Sequence, residues 1–277
     1  MRLLLGITLC MVIAVCMQPF HGFCVTSTTG HGDSIKQSEQ ERQLEAEQVW
    51  ACAITAKGGR ERLHAVRNVL ISSSGMYTTS RGKKNRIRQE ELYVFPSKFW
   101  AWSDYRPDVF GLRVEMVNFD LKRHYIVTPD DPKDEGRGMP SLGNQIMDGQ
   151  LYYLFETEWL KPTLLKATIG VAGTRPADIV ETRVHDGRTD FVFDRNSHLL
   201  VQMRTYHSRG GKEIPDDVID LSDYIEVEGL QVPTKVTYEG GVEYLQTFQF
   251  NVDYNENIFL TPPLIDAGPE AWRPKKG

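Results

Sequence analysis

Between residues 69 and 252 the chain is written largely in period two, and that alternation constrains its fold more than any other feature. Ile87, Gln89, Glu91, Tyr93 and Phe95 alternate with Arg86, Arg88, Glu90, Leu92 and Val94; Leu112, Val114 and Met116 alternate with Arg113 and Glu115. Successive side chains of a strand point to opposite faces, so such runs predict sheets with one wetter face. Asp194-Arg195-Asn196-Ser197 separates Phe191 and Phe193 from Leu199, Val201 and Met203. Glu239-Gly240-Gly241 likewise separates Val232, Val236 and Tyr238 from Tyr244, Phe248, Phe250 and Val252. These residues suit tight reversals, the glycines by accepting positive φ, and both stretches read as antiparallel hairpins. No internal repeat is present, and the strand pattern reads as one continuous sheet.

One helix precedes the strands and another interrupts them. Ala46, Val49, Trp50, Ala53 and Ile54 recur at helical spacing from about Glu39, and Gly58-Gly59 provide a left-handed exit. A short turn around Arg60 to Ala65 leads into Val69-Leu70-Ile71. Further on, Asp148 reads as the N-cap of a helix carrying Leu151, Leu154, Phe155 and Trp159 until Pro162, with a second short helical piece over Thr163 to Ile169. Thr128 to Asn144, dense in Pro, Gly and Asp, reads as a long surface loop. An antiparallel sheet must hide its apolar face, and two aromatic-bearing helices favour covering it from one side. The predicted class is therefore α+β: a curved antiparallel β half-barrel with helices capping the concave face. An apolar cavity is expected wherever the helices fail to fill the curve.

The chain opens with Met1-Arg2 and an apolar run from Leu3 to Met17, the pattern of a secretory signal and too short to span a bilayer, which takes roughly 20 residues. The organisation expected is a signal peptide over 1–24, a flexible tether over 25–38, the folded domain over 39–265 and a C-terminal tail over 266–277. Val15 precedes Cys16 and Phe23 precedes Cys24, where a lipoprotein box would place a small residue, so a lipid anchor is disfavoured. Removal of the leader takes Cys10, Cys16 and Cys24 with it, leaving Cys52 as an unreactive buried thiol in the first helix. With 37 acidic against 32 basic side chains the net charge is -5, which argues against nucleic acid as a partner. A periplasmic monomer is expected.

No catalytic signature stands out. His64, His124, His185, His198 and His207 form no H-E-x-x-H and no helical i, i+4 pair, and the acidic run Asp130, Asp131, Asp134 and Glu135 lacks the ligand spacing of a calcium loop. There is no G-x-S-x-G. Neither a metal nor a cofactor is expected. The basic run Arg81 to Arg88 joins two strands and reads as a charged hairpin tip, with anionic headgroups as the alternative contact.

Certain stretches resemble a known group. Ala53-Ile54-Thr55-Ala56-Lys57-Gly58-Gly59-Arg60-Glu61-Arg62-Leu63-His64-Ala65-Val66-Arg67-Asn68-Val69 resembles the first helix, double glycine and following step of bacterial envelope proteins similar to the lipoprotein carriers LolA and LolB. Asp223-Tyr224 through Gly229-Leu230-Gln231-Val232-Pro233 and the close Phe259-Leu260-Thr261-Pro262-Pro263 resemble later segments of the same group. The resemblance frames residues 40 to 263. It implies a helix-capped half-barrel that binds or carries a hydrophobic ligand, such as a lipid or lipoprotein acyl chains, without enzymatic activity, and with an envelope membrane or lipoprotein as a further partner. Trp50, Trp100, Trp102, Phe155, Trp159 and Phe248 are the candidate ligand-binding aromatics. An enzyme on the same scaffold would instead carry a buried polar cluster with shifted pKa values on the concave side. A structural module would show a solid core and an exposed apolar patch.

Overall fold

The computed structural model describes residues 38–78, 82–107, 111–131, 140–184, 187–239 and 241–274. Its described part belongs to one compact unit, Lys36–Gly277. The leader, all of the tether but Ser38, and residues 132–139 of the acidic loop lie outside the described residues.

Helix α1 runs over Glu39–Lys57 and α2 over Arg60–Ala65. Ser38 starts α1 with a reciprocal cap: its Oγ accepts from the Glu41 amide at 3.2 Å, and its own amide donates to Glu41 Oε2 at 2.8 Å. Such a cap stabilises a helix by about 1 kcal/mol. Of the stripe read from the sequence, α1 buries Ala46, Trp50, Ala53 and Ile54, with Val49 half-buried, and it buries Lys57 as well. Gly58 ends it at φ 128, where a Cβ would stand 2.2 Å from the Gly229 carbonyl oxygen. Cys52 differs from expectation: it is half-buried and disulfide-bonded.

Five strands follow: β1 Asn68–Thr78, β2 Lys84–Val94, β3 Lys98–Asp104, β4 Leu112–Asn118 and β5 Arg123–Val127. After helix α3 (Pro140–Tyr153) come β6 Thr163–Ala172, β7 Arg175–Val184, β8 Gly187–Asp194, β9 Leu200–Arg209, β10 Lys212–Val227, β11 Leu230–Tyr238 and β12 Val242–Phe250. All twelve form one open antiparallel sheet in the order β5-β4-β3-β2-β1-β12-β11-β10-β9-β8-β7-β6. It consists of two meanders sutured where β1 meets β12, Ile71 opposite Phe248. The predicted hairpins are present. Asp194 Oδ1 accepts from the Asn196 and Ser197 amides to shape the β8–β9 turn, and Gly241 takes φ 79 in the β11–β12 turn.

This order decides where the middle helix goes. β5 is one edge of the half-barrel and β6 the other, so the connection between them has to travel from edge to edge. It lays α3 across the inner face, where Gly149 sits directly on the Tyr93 ring; a Cβ there would lie 2.3 Å from the ring. The helix runs earlier than the sequence suggested. Pro140 opens it, a position where a missing N–H does no harm, so Asp148 is interior rather than an N-cap, and the expected loop stops short of Asn144. The helix is over before Phe155, which adopts φ 46. Nor is Thr163 to Ile169 helical: it belongs to edge strand β6, where pairing with β7 and the branched Thr163, Thr168, Ile169 and Val171 outweigh local helix preference.

Both sheet faces are covered over β1 to β4. Val69, Ile71, Tyr93, Phe99 and Val117 join α1 and α3 in the inner core. Leu70, Leu92, Trp100, Trp102, Val114 and Met116 face outward and are roofed by the segment after β12, through Phe259 and Trp272. Asn118 Nδ2 donates to the Phe259 carbonyl at 3.0 Å, and the Trp272 carbonyl accepts from the Asn255 amide at 2.7 Å, which fixes this roof in place. Among the described residues, no helix is long and apolar enough to cross a membrane.

Candidate ligand cavity

Three inward rows define the site. On β2 they are Gln89, Glu91 and Tyr93; on β3, Phe99, Ala101 and Ser103; on β4, Arg113 and Glu115. The register places Glu91 opposite Ala101 and Ala101 opposite Glu115, so the two carboxylates flank an alanine in one cross-strand row. Strands lie about 4.8 Å apart, so a methyl group at the centre of three strands leaves a hollow. Asp148 and Tyr152 of α3 flank it from above, and Tyr105 stands at one end; the hollow is open to solvent on one side and holds about 250 Å³.

The charges in this hollow are unequally compensated. Glu115 is buried and held at both oxygens: Arg113 Nη2 donates to Oε2, and His124 Nε2 of β5 lies 2.8 Å from Oε1. Glu91 faces the same space, and burial, reinforced by the Glu115 carboxylate, pushes its pKa up to about 7. Asp148 is likewise pushed up to about 7, by burial and by Asp216 and Asp217 of β10. The phenols of Tyr93, Tyr105 and Tyr152 are raised chiefly by burial and stay protonated, able to donate.

None of the six aromatics selected from the sequence lines this space. Trp50 and Phe155 meet in the inner core, ring centroids 5.2 Å apart, with Trp50 also edge-on to Phe191 at 5.0 Å. Trp50 Nε1 donates to Glu156 Oε2 at 2.8 Å; the same buried carboxylate receives Arg60 Nε at 2.9 Å and faces His64 Nε2 at 2.9 Å, tying the segment after α3 to α1 and α2. Phe248 packs edge-on against Tyr153 at 5.4 Å. Trp100 and Trp102 point to the opposite face, under the C-terminal roof. Trp159 is partly exposed beneath the Arg67 guanidinium, 4.8 Å from its ring centroid. The alternate residues of the tryptophan strand, Phe99 and the nearby Tyr105, are the ones that wall the cavity. The missed signal lay in parity: Gln89 and Glu91 share a face with Tyr93 and Phe95, so polar groups stand on the face that the core aromatics claim.

Neither a family model nor a curated protein sequence matches the chain. Solved structures similar to it include a domain from Vibrio parahaemolyticus assigned to outer membrane lipoprotein sorting, with TM-score 0.48 and 12% identity over 77% of this chain and 97% of that one. A LolA superfamily protein from Nitrosomonas europaea gives TM-score 0.48 and 10% identity over 75% and 96%. A DUF1329 family protein from Desulfovibrio piger gives 0.43 and 9% over 77% and 96%. These are likenesses of fold, and the half-barrel itself rests on the strand order described above.

Proposed function

We propose that this chain is a non-enzymatic binding protein of the bacterial envelope, exported to the periplasm, which shelters part of an amphipathic guest in the hollow beneath α3. The observation that carries the reading is the cavity itself: a space with aromatic walls at Tyr93, Phe99 and Tyr152 and convergent polar groups at Glu91, Ser103 and Asp148. Ligand sites combine these two kinds of lining. Burying each methylene of a guest stabilises the complex by about 0.8 kcal/mol, so a short apolar segment suffices for measurable binding. The interior aromatics pack on one another rather than on a guest, so the hollow suits a short chain or the polar end of a lipid, with any longer tail passing out of it. Organic extraction of the purified protein followed by mass spectrometry tests the reading. A co-purifying or exchangeable amphiphile is the expected result, and an empty protein that binds no added amphiphile overturns it.

An enzymatic reading draws on one observation, the Glu91 carboxyl poised near neutrality beside the Glu115–His124 pair. It requires turnover of a bound compound that disappears in Glu91→Gln.

A further inference from the structure

Resting on the cavity as the binding site, the charge of its lining points to the kind of guest. We infer that the guest carries a positively charged nitrogen, an amine or quaternary ammonium end, received by Glu91, Asp148 and the rings of Tyr93 and Tyr152.

Three carboxyl groups turn toward this space, against one guanidinium, Arg113. That guanidinium is engaged by Glu115, which His124 also meets, so this part of the lining is self-contained. Glu91 and Asp148 have no basic counterpart: among the described residues, no salt bridge reaches either of them, although sixteen ion pairs, two of them at Glu115, hold carboxylates against basic groups. Both carboxyls are half-buried; a carboxyl partly withdrawn from water with no cation beside it is costly to ionise, and a guest that brings the cation reduces that cost. Glu91 accepts a hydrogen bond from the Tyr93 hydroxyl, and the acids and phenols around it are Glu90, Glu115 of β4, Tyr105, Tyr153 of α3, Tyr238 of β11 and Tyr244 of β12. Those facing Asp148 are Asp216 and Asp217 at the bulge of β10, with Tyr93 and Tyr152. Acids and phenols thus surround both carboxyls.

The remaining walls agree with this chemistry. Aromatic faces carry partial negative charge and attract cations, ammonium groups among them. An anionic headgroup would meet the uncompensated acids instead and would find Arg113 already taken. Seating a cation lets Glu91 and Asp148 ionise, so binding is accompanied by proton release and strengthens as pH rises through neutrality.

Titration calorimetry with octylamine, octanol and octanoate, at pH 6 and pH 8, tests the inference on the full purified chain. The expected order is amine, alcohol, carboxylate, with the amine about tenfold tighter than the alcohol, the scale of one charge-assisted hydrogen bond. The amine's advantage widens at pH 8. Glu91→Gln and Asp148→Asn, both close in shape to the native residues and checked for folding by circular dichroism, remove that advantage, so that octylamine binds each variant no more tightly than octanol does. Equal affinity for octanol and octylamine, or an undiminished amine preference in both variants, overturns the cation and leaves the cavity standing. Absence of binding by all three compounds overturns the cavity reading and the inference together.

Discussion

Glu91 and Glu115 occupy one cross-strand row of the inner face, with only Ala101 between them. Glu115 is paired with Arg113 and meets His124, whereas Glu91 has no basic partner, and burial, reinforced by the Glu115 carboxylate, raises its pKa beside a gap that a methyl group leaves open. The relationship gives the site both its volume and its charge.

The first expectation concerns acid. Glu91 has an ordinary value of 4.5 and is raised to about 7 in the folded chain, so between those values the native state holds a proton that the unfolded state has lost. Stability from this group is complete below about 4.5 and is lost as pH rises to about 7. Denaturant unfolding at several pH values is expected to show the wild type losing stability relative to Glu91→Gln across that window, and a constant difference outside it. A difference independent of pH would contradict the assignment.

Ala101 is the second target. Ala101→Leu puts three further carbons into the hollow without altering any charged group. Ligand binding is expected to disappear, while the cost to stability stays near the 1–3 kcal/mol typical of added bulk in a packed interior. Retained binding of octylamine at wild-type affinity would place the guest elsewhere.

Gly149 governs how closely α3 lies on the sheet. A Cβ at this position would sit 2.3 Å from the Tyr93 ring, so Gly149→Ala must lift the helix or turn the ring aside. A loss of about 1–3 kcal/mol is expected, although alanine in an isolated helix is favoured over glycine by about 1 kcal/mol. Urea unfolding decides the sign, and a stabilised variant would mean that α3 is not seated on Tyr93.

Lys57, at the end of α1, is buried with its Nζ 5.6 Å from the Tyr224 ring centroid. Burial lowers its pKa from 10.5 to about 7, so between these values the unfolded chain carries a proton that the folded chain lacks. Stability therefore rises with pH across that range and is lowest below about 7. Lys57→Met is expected to remove this rise and to be more stable than the wild type at pH 6, with the margin shrinking toward pH 10. Thermal melts of both proteins across pH measure it.

What the amino-acid sequence determines by itself is the local repertoire. Trp50 and its neighbours make an apolar stripe because 3.6 residues complete a turn, and that stripe is what α1 buries. Asp194 makes its reversal through its side-chain carboxylate and Gly241 through its positive φ, whichever strands surround them. Alternation in β2 and β4 likewise specifies which side chains share a face. It does not specify what covers that face. Trp100 and Phe99 differ by one position, yet the first is shut under Phe259 and Trp272 while the second walls a cavity, because both faces of this sheet are covered by segments distant in sequence. Thr163 to Ile169 became a strand for the same reason: β7 offered it a ladder, and short-range preference was overruled. Tertiary structure alone brought Glu91 of β2, Glu115 of β4 and Asp148 of α3 to one hollow. Their meeting depends on strand register and on a connection that spans the half-barrel from β5 to β6, two relationships between remote parts of the chain that no local pattern of residues encodes.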